Sequence, residues 1–281
     1  MTLPKAITRR SAIGTIGGVG IATLLAACGS DTKSSGTTTT APTTTPTTAA
    51  QNRSTTTLGA SESTASTTAT DASCTAIPEE TAGPFPGDGT NGPNVLNIDG
   101  VVRQDLRTSF GDLSGTAEGI ELTIELTMTN AKDGCTPLTG AAVYLWHADA
   151  LGRYSLYSDG VTDQNYLRGV QVSDDGGKVS FTTVFPGCYD GRWPHVHFEV
   201  YPDIAAATSG NTPRATSQLA FPQSTAEEVY GDSRYPSSTA NLANVSLTSD
   251  GIFADDGAKH QLATMSGNAK DGYVATLNVV A

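Results

Sequence analysis

Basic residues are scarce in this 281-residue chain: 16 Lys and Arg stand against 28 Asp and Glu, a net charge of −12. A chain so acidic is repelled by nucleic acid and by anionic lipid, and no Lys/Arg block argues otherwise. A membrane-spanning run is missing too. The apolar stretch from Ala12 to Ala27 falls short of the roughly 20 residues that cross a bilayer. Histidine and cysteine are sparse, with four copies each. No internal repeat is visible, and only one segment reads as a helix.

What the first quarter does contain is targeting chemistry. Lys5 and the pair Arg9-Arg10 precede a weakly hydrophobic stretch studded with Gly14, Gly17, Gly18 and Gly20. A basic start before a short apolar run is the export-signal pattern, and paired arginines suggest the twin-arginine route. The run ends Leu25-Ala26-Ala27-Cys28, which resembles the lipobox of bacterial lipoproteins. That resemblance implies removal of residues 1–27 and a lipid on Cys28, the chain's one link to a membrane. The plainer reading is an ordinary cleaved signal with a chance cysteine. Losing Lys5, Arg9 and Arg10 takes the charge from −12 to −15.

Residues 28–73 are dominated by Thr, Ser, Ala and Pro. They cannot bury enough apolar surface to offset their ordering entropy, so a disordered linker is expected. As a flexible coil it reaches roughly 35–40 Å.

From Cys74 to Ala281 short alternating runs with turn punctuation take over. Ile120, Leu122, Ile124, Leu126 and Met128 share one face, with Glu121, Thr123, Glu125 and Thr127 on the other, which predicts a half-buried strand. Further strands are expected at Ala141–His147, Lys178–Phe185, His195–Tyr201 and Tyr273–Val280. The third of these five is entered through the Asp174-Asp175-Gly176-Gly177 turn. Ser224 and Glu227 have capping-box spacing, predicting a short helix over Ser224–Tyr230. Many short strands with little helix predict an all-β fold, a β-sandwich with few short helices behind the linker. Three cysteines fall in this region: Cys74, Cys135 and Cys188. In an oxidising compartment one bridge can form in three pairings. Cys74–Cys135 is preferred, since it would tie the domain's first segment to its body.

Two of the four histidines sit in Trp193-Pro194-His195-Val196-His197-Phe198-Glu199-Val200. Alternation puts Val196, Phe198 and Val200 on the core face and His195 and His197 together on the other, about 7 Å apart along the strand. Two imidazoles so placed can share one metal ion. Upstream lie Phe185-Pro186-Gly187-Cys188-Tyr189-Asp190-Gly191-Arg192 and Trp146-His147-Ala148-Asp149-Ala150-Leu151-Gly152-Arg153-Tyr154. With Glu80-Thr81-Ala82-Gly83-Pro84-Phe85 and Leu167-Arg168-Gly169, these segments resemble the intradiol ring-cleavage dioxygenases, the family of catechol 1,2- and protocatechuate 3,4-dioxygenases. The resemblance covers roughly residues 74–235.

By position, that resemblance implies one Fe(3+) per chain, held by Tyr154, Tyr189, His195 and His197. Tyr189 would be the tyrosine that substrate displaces. Arg192 would steady negative charge on the substrate, with Gln218 behind it and Trp146 as a wall. The implied partners are a small aromatic diol and O2. Cys188 departs from the pattern, where tryptophan or proline is commoner, and bears on pocket shape. Phenolates suit such a centre, because a phenol with pKa near 10 ionises at neutral pH only beside a strong Lewis acid. Glu199 is expected outside the ligand set, His147 is read as structural, and His260 as solvated. The competing reading is a non-catalytic β-sandwich envelope module that binds metal or carbohydrate.

Overall fold

Alternation in the first long strand does what its pattern predicts. In β1 (Glu121–Asn130), Leu122, Ile124, Leu126 and Met128 are wholly buried while Glu121 and Glu125 face solvent. Each such apolar side chain removed from water contributes about 1.5–3 kcal/mol. The computed structural model describes residues 74–281; the expected signal segment, Cys28 and the linker to residue 73 lie outside the described residues.

β1 is the centre of the first sheet. It pairs antiparallel with β5 (Lys178–Val184) on one side and parallel with β9 (Gly272–Val280) on the other. β8 (Thr264–Asn268) lies beyond β9, and β2 (Thr136–Pro137) pairs with the far end of β1. The second sheet runs β4 (Arg168–Val172), β3 (Ala142–Trp146), β6 (His195–Tyr201), β7 (Ala215–Ala220), with every pair antiparallel. Between the sheets lies the main core, where Ile124, Leu126, Phe181 and Val279 meet Val143, Leu145, Val196 and Phe198. The fold is therefore the expected sandwich.

Among the described residues, helix is confined to α1 (Ile204–Thr208), α2 (Gln223–Val229), α3 (Ser238–Leu242) and a 3-10 turn at Phe253–Asp255. Ser224 does not cap α2. The N-cap is Pro222, which has no side-chain donor or acceptor to offer, and Glu227 instead accepts from Gln223 Nε2 at 2.7 Å along the helix face. The Asp174–Gly177 turn forms as expected. Asp174 Oδ1 accepts from the N–H groups of Gly176 and Lys178, and Gly177 takes φ +73°, a value that glycine adopts without strain. Cys74 and Cys135 form the preferred disulfide, and Cys188 is a buried free thiol.

The outer face of the second sheet departs from the alternation argument. β6 is not half-buried: all seven of its residues are buried. A second apolar cluster explains why. Val95, Leu96, Val101 and Phe110 pack over Tyr144, Trp146 and Tyr201 on the side away from the main core. His195, His197 and Glu199 therefore project beneath a covering layer rather than into water.

Candidate metal centre

His195 and His197 owe their position to β6 and its two neighbours. Register places Trp146 of β3 and Gln218 of β7 directly opposite His197. The Trp146 ring stacks on the His197 imidazole at 5.0 Å and 6°, and Tyr144 stacks behind Trp146 at 4.9 Å. A strap formed by Glu80–Phe85 covers the opposite side. There Gly83, at φ +70°, comes so near that a Cβ would stand 3.3 Å from His197 Cε1. His195 is fixed differently, since its Nδ1 donates to the Trp193 carbonyl at 2.6 Å. That bond puts the proton on Nδ1 and leaves a lone pair on Nε2.

The tyrosines arrive on two loops that interlock through glycines. Gly187 N donates to the Asp149 carbonyl at 3.0 Å, and a Cβ on Gly187 would stand 2.5 Å from Ala150 O. Gly152, at φ +78°, faces Tyr189, where a Cβ would lie 3.0 Å from the tyrosine's own Cβ. Arg168 ties the strap to the Tyr154 loop. Its buried guanidinium donates to the carbonyls of Phe85 (2.9 Å), Pro86 (2.7 Å) and Ser155 (3.0 Å), and to Ser155 Oγ (3.0 Å). The Phe85 ring then lies 5.0 Å from that of Tyr154.

These supports bring four polar atoms to one point. His195 Nε2 is 3.3 Å from Tyr154 Oη, 3.2 Å from Tyr189 Oη and 3.2 Å from His197 Nε2. Burial, then the nearby Arg192 charge, pushes the His195 pKa down to about 3; burial and the adjacent His195 hold His197 well below the ordinary imidazole range. Burial raises both phenols, Tyr154 well above its usual value, with Tyr189 next to it adding to the effect. The imidazoles are thus neutral at any ordinary pH, and the cluster holds lone pairs without a cation of its own. Donors about 2 Å from a shared ion at near-tetrahedral angles stand roughly 3.3 Å apart, so this set fits a metal ion. Half of the set is phenolic: among the described residues, no three His, Cys, Asp or Glu side chains gather in this way.

Arg192 and Gln218 lie beside the cluster. Arg192 Nη2 donates to Gln218 Oε1 at 2.6 Å, and Gln218 Nε2 donates to the Thr81 carbonyl of the strap at 3.0 Å. Arg192 also pairs with Asp250, Nε to Oδ2 at 2.9 Å. Sequence reasoning missed Asp250, which carries no motif and lies 58 residues away in the chain.

Other candidates stand apart. Tyr157 Oη accepts from Gly87 N at 2.9 Å, away from the histidines. His147 is buried and satisfied, Nδ1 donating to Ala148 O and Nε2 accepting from Thr183 Oγ1. Glu199 turns to Tyr201, whose hydroxyl donates to it at 2.7 Å. His260 is partly exposed on a loop.

A family model described as "Dioxygenase" matches residues 91–201. A chlorocatechol 1,2-dioxygenase from Rhodococcus opacus is 38% identical over 55 residues, 20% of this chain. That match spans about a fifth of the relative, 21% of its length. An intradiol ring-cleavage dioxygenase from Tetranychus urticae is 26% identical, with a TM-score of 0.57 over 74% of this chain and 94% of that one. In its family-model match and in its fold, the chain is similar to the intradiol ring-cleavage dioxygenases.

Proposed function

We propose that this protein is a non-haem iron(III) dioxygenase that uses O2 to open catechol-type diols between their two hydroxylated carbons, giving muconate-type dicarboxylic acids. The observation that carries the proposal is the convergence of Tyr154, Tyr189, His195 and His197 within 3.3 Å of one imidazole nitrogen. These four side chains would hold one ferric ion. Bound there, iron(III) would supply the Lewis acidity that keeps both phenols ionised at neutral pH.

The protein's own groups divide the remaining work. Tyr154 is buried whereas Tyr189 is partly open to solvent, so Tyr189 is the phenol an incoming diol can displace. Its freed oxygen can then accept a hydroxyl proton from the diol. Arg192 lies close enough to Tyr189 to oppose the effect of burial on that phenol, and its positive charge meets the negative charge of the ionised diol. Gln218 holds the guanidinium from one side and anchors it to the strap. Trp146 and Phe85 exclude water from the buried flank.

The same reading puts the protein outside the cytoplasm, held by lipid on Cys28 and a linker over residues 28–73. The Cys74–Cys135 disulfide supports it, because such bonds persist in oxidising compartments. The decisive experiment is ferric loading of the purified chain followed by oxygen-uptake screening of a diol panel. A red-brown protein with one iron per chain and a product cut between the hydroxyls is expected. A colourless protein, or a product cut beside the diol, would overturn the assignment.

A further inference from the structure

The guanidinium of Arg192 is gripped from behind by a carboxylate. Asp250 has a side chain fully shielded from solvent, and each of its oxygens accepts two hydrogen bonds. Oδ2 takes Arg192 Nε–H at 2.9 Å and the Trp193 backbone N–H at 2.7 Å. Oδ1 takes the N–H groups of Ile252 at 2.8 Å and Phe253 at 3.1 Å. Four donors saturate a carboxylate. Burial alone would raise its pKa, but the Trp193 and Ile252 amides and the Arg192 charge more than offset that and hold it ionised.

The grip reaches two parts of the centre. Trp193, whose N–H binds Asp250, accepts from His195 Nδ1 through its own carbonyl. The turn that starts at Asp250 also carries Phe253, whose ring lies 5.8 Å from the Arg192 guanidinium carbon and 6.4 Å from the His195 ring. With Nε held by Asp250 and Nη2 by Gln218, the fork of Arg192 has one orientation. A free arginine side chain carries about 2 kcal/mol of rotamer entropy, and a misplacement of about 1 Å near reacting atoms can cost 10²-fold in rate.

We infer that Asp250 is a positioning residue for diol binding, acting through Arg192 by fixing the direction and reach of its guanidinium. This rests on the diol-binding reading above. A residue that merely stabilised the fold would weaken diol binding to the same degree whether or not Arg192 were present. A residue that acts through Arg192 would not.

The test is an anaerobic optical titration of the ferric full chain with 4-nitrocatechol, with iron content measured alongside. Four proteins are compared: wild type, Asp250→Asn, Arg192→Gln and the double variant. Iron should stay at one per chain throughout. Asp250→Asn should weaken 4-nitrocatechol binding roughly tenfold in the presence of Arg192 and less than twofold in its absence, a coupling within the usual range for contacting residues. Equal losses in both backgrounds, or none in either, would overturn the role of Asp250. If Asp250→Asn does not fold, Asp250→Glu carries the same comparison, keeping the charge while moving the oxygens by one methylene. A ferric wild type whose spectrum does not respond to 4-nitrocatechol would overturn the diol-binding reading itself, and this inference with it.

Discussion

Replacing Gly187 by alanine tests whether the two tyrosine loops are interlocked as described. The added methyl would stand 2.5 Å from Ala150 O and 2.8 Å from both Ala150 C and Gly152 N, all of them backbone atoms. Reaching ordinary contact near 3.4 Å requires a shift of about 0.9 Å. No flexible side chain can absorb it, so the loop bearing Tyr154 must move away from the loop bearing Tyr189. Overpacking of this kind costs about 1–3 kcal/mol. In a domain of this size that lowers Tm by roughly 2–12 °C. Gly140→Ala is the control: φ is +77° with nothing within 4 Å, so it adds backbone strain of about 1–2 kcal/mol without displacing a neighbour. The two variants should melt at similar temperatures yet differ in iron content and visible absorbance, measured after identical ferric loading. Gly140→Ala should match wild type, whereas Gly187→Ala should lose most of its iron. Wild-type iron content and colour in Gly187→Ala would refute the interlock.

Three further outcomes follow from the same geometry. Tyr189→Phe and His197→Ala should each abolish oxygen uptake with catechol, and His197→Ala should also lose iron; full activity in either would dismiss the ligand set. Burial raises the Glu199 pKa to about 7 from an ordinary 4.5, so the unfolded chain gives up that proton first as pH rises. The stability this group supplies is thus complete below pH 4.5 and lost as pH climbs through 7, a change on the order of 3 kcal/mol. Glu199→Gln should flatten that part of the Tm–pH curve and melt higher than wild type at pH 8; an unchanged curve would count against the burial argument. Cys135→Ser opens a loop between cysteines 61 residues apart, which the chain-entropy estimate values at about 4 kcal/mol. Its melting temperature should fall by roughly 10 °C, and an unchanged melt would show that the bond constrains little.

How much of this was readable beforehand depended on whether a residue's partners are local. β1 was legible because four large apolar residues alternate with charged and hydroxyl side chains on one strand. β4, β7 and β8 were not. Arg168–Val172, Ala215–Ala220 and Thr264–Asn268 are short and rich in small or polar residues, and they are strands only because a neighbour offers a ladder. The alternation in β6 predicted correctly which side chains share a face. It could not show that the histidine face is roofed, since the roof comes from residues around 80–110, far off in the chain. The candidate ligands were legible through motifs resembling a known family. Gly83 appeared only as part of such a motif, and its contact with His197 became visible in three dimensions. Asp250 had no signal, because its meaning lies in a contact across 58 residues.

The parallel pairing of β1 with β9 has a consequence for how the protein is made. The central strand finds β5 soon after both emerge, but its other partner arrives far later, with residues 150 apart meeting as Thr129 approaches Val279. Until then, a partly synthesised chain carries an open hydrogen-bonding edge beside exposed Leu, Ile and Met side chains, a surface prone to pairing with other chains. Completion of the sheet must therefore follow synthesis of the last strand. A ribosome that stops before Gly272 would leave that edge open for good.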